Sequence, residues 1–240
     1  MIKYFIGTSG WHYDDWRGLF YPEKLPKDRW LEFYARRFIT LELNNSFYRL
    51  PSENAFTNWY NSSPEGFIFS VKASRYITHI KRLNDCSEAV NNFMSRACLL
   101  KEKLGPVLYQ LPSNFHRDDT RLEAFLKILP KDIKHAIEFR HESWFHENIY
   151  DLLRKYNVGF AAFDMPDLTS ILLATSDFLY LRFHGGNSLY SSRYSEREMS
   201  TWAEKISKLS GKLESAYIYF NNDVAGYAIE NAQTLRSFLG

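Results

Sequence analysis

Short apolar runs recur along the whole chain: KYFIG, TLELN, FIFSVK, VLYQL, HAIEFR, GFAAFD, YLRFH and AYIYFN. Their lengths and their content of β-branched and aromatic residues predict strands. Between most of them lie stretches with helical spacing, such as DRWLEFYARRF from Asp28, SEAVNNFMSRACLLKEKLG from Ser87 and SEREMSTWAEKISKLSG from Ser195. Ser195 with Glu198, and Thr120 with Glu123, match the S/T-x-x-E box that satisfies free amides at a helix start. A strand followed by a helix, repeated, predicts parallel strands, because the crossover helix returns the chain to the same end of the sheet. Between GFAAFD and YLRFH stands only MPDLTSILLATSDFL, too short and β-branched to read as a helix, so the sixth unit is expected to be degenerate. No linker, charge run or low-complexity segment divides the chain, which predicts one domain over residues 1–240.

The polar residues choose between an open sheet and a closed one. Successive strand side chains leave opposite faces. The last inward residues of the runs then read Glu42 and Asn44, Lys72, Gln110, Glu138 and Arg140, Asp164, Arg182 and His184, and Asn221. The alternate register, including Leu41, Leu43, Ile137, Phe139, Leu181 and Phe183, is what helices would cover. An open doubly wound sheet gathers ligand residues at one switch point. Here polar chemistry ends seven of the eight runs, which predicts an α/β fold, a TIM-like (β/α)8 barrel with a functional mouth at the C-terminal ends of its strands. The 240 residues suit such a barrel, typically about 250 long. Both faces of a barrel strand are buried, so Arg182 and His184 require partners around the same ring.

Composition narrows the class. Hydrophobic residues make up 45% and aromatics 17%, ample for a core, and the net charge of +2 carries no whole-chain basic excess of the kind nucleic-acid coats show. The two cysteines, Cys86 and Cys98, lack the spacing of a zinc, redox or disulfide framework, and no stretch approaches a membrane span. A soluble, cytoplasmic protein is expected, with no membrane partner. The chain holds no nucleophile elbow, GxGxxG or GxxxxGK[ST], which disfavours nucleotide-cofactor and serine- or cysteine-nucleophile chemistry.

Within the mouth, Glu42 and Glu138 come from strands roughly opposite one another and suit paired acid and base roles, as in glycoside hydrolysis. Trp11, Tyr48 and Trp144 are candidates to stack on a substrate. Arg140 and Arg182 offer planar forks for a carboxylate or phosphate. Asn44, Lys72, Gln110 and Asn221 complete the candidate binding residues, while Asp164 and His184 join the catalytic set, His184 as a proton carrier near neutral pH. The expected ligand is a small, polar, anionic molecule and the expected reaction acid-base chemistry, with hydrolysis the leading form. No cofactor is expected. A divalent metal on Glu42, Glu138, Asp164 and His184, serving phosphodiester cleavage, is an alternative without a supporting HxH or HExxH motif. A non-catalytic ligand-binding module is another. KASRYITHIKRL interleaves Lys72, Arg75, Lys81 and Arg82 with Tyr76 and His79, a pattern that also grips nucleic acid, though a solvated loop is the simpler expectation. Gly185-Gly186 is read as a turn before it is read as a phosphate loop.

Seven motifs occur in order: GTSGWHYDDWRGLFYP, LELNNSFYRLP, FIFSVKASRYITH, LYQLP, EFRHESW, YLRFHGG and YFNNDVAGYAIENA. Over nearly the whole chain this series resembles the domain-of-unknown-function 72 family, also called YecE-like. Asn45 and Ser46 stand where that family more often has Ser-Thr. The resemblance implies a TIM-like barrel and assigns no substrate.

Overall fold

The computed structural model describes residues 2–166, 168–209, 211 and 213–240. The strands are β1 (Lys3–Thr8), β2 (Thr40–Leu43), β3 (Ile68–Lys72), β4 (Leu104–Gln110), β5 (His135–Glu138), β6 (Gly159–Asp164), β7 (Phe178–Phe183) and β8 (Ser215–Phe220). They form one sheet in the order β1-β8-β7-β6-β5-β4-β3-β2, and every pairing is parallel. The ends of this sheet meet at a single parallel bridge between Ser9 and Glu42, where the Gly10 amide donates to the Glu42 carbonyl over 2.9 Å. The result is a nearly closed barrel. Along the seam below that bridge, a Cβ on Gly7 would overlap the Thr40 carbonyl, so glycine lets β1 and β2 approach. The buried Tyr34 hydroxyl accepts from the Thr8 amide (2.9 Å) and donates to the Thr40 carbonyl (3.2 Å), bonding both edges where the ladder is missing.

Eight α-helices are described: α1 (Trp30–Ala35), α2 (Asn45–Tyr48), α3 (Glu53–Asn61), α4 (Ser87–Ala97), α5 (Asp119–Ile128), α6 (Glu147–Lys155), α7 (Glu196–Leu209) and α8 (Tyr227–Leu239). No helix is described between β6 and β7, as expected for the degenerate sixth unit. The Ser195 box forms: the Ser195 hydroxyl accepts from the Glu198 amide, and the Glu198 carboxylate accepts from the Ser195 amide. The Thr120 box does not. Helix α5 starts at Asp119, and the Asp118 carboxylate accepts from the Arg121 amide over 2.9 Å. An ionised carboxylate two positions earlier is a strong cap that also meets the positive end of the helix, so it wins. KASRYITHIKRL is likewise more ordered than a solvated loop: Tyr76–Ile80 make one turn of π-helix, followed by Arg82, Leu83 and Asp85 with positive φ.

The two registers separate as the alternation requires. Leu41, Leu43, Ile137, Phe139, Leu181 and Phe183 join the large core between strands and helices, while Phe5, Leu108, Ala136, Ala161, Phe178, Tyr180, Tyr217 and Tyr219 pack inside the barrel. The interior changes character along its axis. Phe5 stacks on Tyr217 at 4.8 Å on the floor. One layer up, the Tyr219 hydroxyl lies 2.7 Å from both Thr40 Oγ1 and Ser70 Oγ. Above these lie the charges. Among the described residues, no helix is long and apolar enough to cross a membrane.

Candidate functional site

The charged layer is built around Arg182, of which 1% is exposed. Its Nη2 donates to Glu42 and its Nη1 to Glu138, each over 2.9 Å. Glu42 also accepts from the Tyr180 hydroxyl (2.7 Å) and the Ser9 hydroxyl (2.5 Å). Glu138 also accepts from Arg140 Nε (2.5 Å). Burial alone would raise the Glu138 carboxyl, but the guanidiniums of Arg140 and Arg182 outweigh it and hold the group below the usual carboxylate range. For Arg182 the balance is similar: burial opposes its charge, Glu42 and Glu138 restore it, and its pKa ends raised. Both carboxylates are fully buried. The guanidinium occupies the space between them, where a sugar and a water would have to sit in a glycosidase.

Above this layer opens a cavity of about 390 Å³, lined by Tyr13, Asn44, Tyr48, Lys72, Gln110, Arg140, Arg182, His184, Tyr190, Asn221 and Asp223. Glu42 and Glu138 do not line it. Arg140 Nη2 donates to His184 Nε2 over 2.8 Å, and the Asn221 amide lies 3.1 Å from Nδ1. A ring nitrogen that accepts from an arginine belongs to a neutral imidazole. Burial and the adjacent Arg182 and Arg140 push His184 well below its ordinary pKa in the same direction.

Lys72 is the unusual member. It ends β3, its Nζ lies 4.1 Å over the Phe47 ring, and no hydrogen bond or ion pair to an oxygen is found for it among the described residues. Burial, then Arg182 and Arg140, lower its pKa to about 7 against the opposing pull of Glu138 and Glu42. Ser46 fixes the strand end beneath it by donating to the Lys72 carbonyl over 2.6 Å. Asn44 Oδ1 and Arg182 Nε are buried without a partner. Three polar groups at the mouth thus have bonding capacity that the protein leaves open.

A second cavity, about 630 Å³, continues outward and shares Gln110, Arg140 and Tyr190 with the first. Arg75, His79, Arg82, Ser113 and Asn114 line it further out, with no acidic residue among its described walls. Arg82 donates to Asn114 Oδ1 over 3.0 Å. Burial, followed by Lys72, Arg75 and Arg82, lowers His79 to about 4.

Of the residues expected at the site, Asn44, Tyr48, Lys72, Gln110, Arg140, Arg182, His184 and Asn221 meet at the mouth. Glu42 and Glu138 lie directly beneath, joined to it through Arg182. Three fall elsewhere. Asp164 follows Phe160 and Ala162 onto the outer register, and its carboxylate accepts from Tyr194 (2.8 Å) and Thr169 (3.0 Å); the inward residue at that level is Phe163, against which Arg140 packs at 4.6 Å. Trp144 is fully buried, stacked on Phe139 at 4.8 Å, with its indole N–H on the Phe115 carbonyl. Trp11 packs edge-on against Trp59 in the core. The loop carrying Trp11 is a packed plug: Trp16 is fully buried and donates to the Asp223 carbonyl. From that loop Tyr13 reaches the mouth, donating to the Ser9 carbonyl. Tyr13, Tyr190 and Asp223 are mouth residues that strand alternation does not reveal, because all three stand in loops. Burial raises Asp223 to about 6. Gly185 has φ +96°, where a Cβ would overlap the Ser188 carbonyl, so glycine at this position serves the turn. No group of three or more His, Cys, Asp or Glu side chains able to hold a metal occurs among the described residues.

A (β/α)8 barrel whose polar, cation-rich mouth sits on a layer of buried ion pairs defines the architectural class. Residues 5–240 match the family described as Protein of unknown function DUF72, and the chain belongs to that family. It is 26% identical to UPF0759 protein YunF of Bacillus subtilis (strain 168) over 98% of this chain and 94% of that protein. It is 30% identical to UPF0759 protein YecE of Escherichia coli (strain K12) over 59% of this chain and half of that one. Among solved structures, a DUF72 family protein (TM1631) from Thermotoga maritima MSB8 superposes with a TM-score of 0.90 at 32% identity, covering 99% of both chains.

Proposed function

We propose that the barrel mouth binds a small anionic molecule and performs acid-base chemistry on it, with Lys72 rather than Glu42 or Glu138 as the proton-transferring group. The observation that carries this reading is the unpartnered Lys72 amine facing the cavity beside Arg140. The half-buried amine opens to the cavity without an acceptor among the described residues, and a ligand oxygen there would take up its donor capacity. With its pKa near 7 the amine exchanges protons at neutral pH, where a general base is most effective. Asp223 at about 6 is a carboxyl of matched strength lining the same cavity. Glu42 and Glu138 serve as anchors that keep Arg182 in place and the local field balanced.

Thermal unfolding with inorganic phosphate as the probe tests the binding half. At about ten times its Kd, phosphate is expected to raise the Tm by roughly 3 to 6 °C. Arg140→Ala and Lys72→Met are each expected to abolish the rise. Stabilisation by manganese or zinc alone, reversed by chelator, would overturn the anion reading in favour of a metal site.

A further inference from the structure

We infer that Lys72 is a covalent site: its amine condenses with the carbonyl group of an anionic aldehyde or ketone to form an imine in the mouth cavity. The inference rests on the anion-binding reading of the mouth and adds the substrate class to it.

Lys103 is buried and Lys72 half-buried, and of the two it is Lys103 that is tied down. Lys103 Nζ donates to the carbonyls of Tyr60 and Ser63 (2.6 and 2.7 Å) and to the Ser63 hydroxyl (3.0 Å), so its ammonium is fully engaged. Lys72 has no such acceptors among the described residues. It sits on the Phe47 ring, with Arg182 and Arg140 on the cavity walls and Glu138 and Glu42 behind Arg182; the ring of His79 also packs against Phe47, at 5.0 Å. An amine among cations, without a carboxylate of its own and open to a cavity, is the arrangement that keeps a lysine uncharged and nucleophilic. Its lowered pKa is consistent with this placement.

The step balances without an outside reductant or oxidant. The Nζ lone pair attacks the carbonyl carbon, the C–N bond forms, and the C=O π pair moves to oxygen, which takes up a proton while nitrogen loses one. The resulting carbinolamine loses its hydroxyl as water after a second protonation, leaving a protonated C=N. Asp223 lines the same cavity as an acid available for these transfers, and Arg140 lines it as a cation able to hold the ligand's anionic group.

Reductive trapping tests this. The whole protein is incubated with glyceraldehyde 3-phosphate or with glyceraldehyde in the presence of cyanoborohydride, and the modified lysines are located by peptide mass spectrometry. At neutral pH, Lys72 is expected to be modified about a hundredfold faster than an ordinary surface lysine, which is almost wholly protonated there. The phosphate-bearing aldehyde is expected to be preferred, and Arg140→Ala to remove that preference. Lys72→Arg, which retains a cation and so guards against misfolding, is expected to lose the adduct, while Lys81→Arg keeps it. If phosphate stabilises the protein but Lys72 is modified no faster than surface lysines, or charged and neutral aldehydes trap equally, the imine proposal is overturned and the anion site stands. If phosphate binding also fails, both fall.

Discussion

Arg182 and Lys72 sit in one barrel mouth and illustrate opposite fates for a buried cation. Arg182 has a carboxylate on each terminal nitrogen and is structural in the strict sense: removing it strips Glu42 of its ion pair and leaves Glu138 with Arg140 alone. Arg182→Met is therefore expected to cost about 3 to 5 kcal/mol in chemical denaturation. Arg182→Lys should recover only part of that loss, because one ammonium cannot span Glu42 and Glu138 as the planar fork does. A denaturation midpoint unchanged from wild type would contradict this placement. The expectation that Arg182 is a free ligand clamp is corrected here, since the fork is already filled. Its inward direction was legible from the alternation of YLRFH; which carboxylates it meets depends on the register of strands far apart in sequence. Lys72 was legible as an inward residue by the same rule. Its lack of a partner is a property of the assembled ring, which no local pattern contains.

Helix starts show how far local chemistry carries at the level of elements. Ser195 and Glu198 cap α7 reciprocally, as their spacing predicts. For α5 the same pattern at Thr120 is present but idle, because Asp118 caps first. Asp118→Ala is expected to lower stability by about 1 kcal/mol, and Thr120→Ala by much less. Equal losses in the two variants would place the helix start at Thr120. Alternation identified the inward face of β2, β3, β4, β5, β7 and β8 and misassigned that of β6. There Asp164 looks like the last inward residue, yet the period set by Phe160 and Ala162 assigns it outward and makes Phe163 the lining residue. The tryptophans were misplaced for a different reason. A large aromatic near a strand end suits a ligand platform and a core plug equally well, and burial decided for the core at both Trp11 and Trp144.

For the molecule as a whole, the strand-helix cadence was enough to specify a parallel barrel, because eight such units with polar ends all round leave few other closures. Reaction chemistry was less legible, since ion-paired and catalytic carboxylates look identical until their neighbours are known. One global consequence is acid sensitivity set far from the mouth. His135 is buried, its Nε2–H donates to the Pro130 carbonyl, its Nδ1 has no partner among the described residues, and its pKa is lowered by burial to about 4. Between about pH 6.5 and 4 the unfolded chain therefore binds a proton at this position that the folded one does not, and stability falls as pH falls through that window. His135→Gln is expected to remove a pH-dependent loss of about 3 kcal/mol across it. Asp223, raised to about 6, acts in the opposite sense over the lower part of the same window, so the difference between variant and wild type, and not the raw profile, isolates His135. An identical pH dependence in the two proteins would contradict the assignment. The central claim, however, concerns the mouth: an unpartnered lysine whose pKa is brought near neutrality by burial and then by its cationic neighbours, and which is available to an anionic ligand. It is tested most directly by an NMR titration of the Lys72 side chain, assigned with Lys72→Arg, in the absence and presence of inorganic phosphate. The account predicts a midpoint near 7 that moves upward when phosphate binds; a midpoint in the ordinary lysine range, unmoved by phosphate, would contradict it.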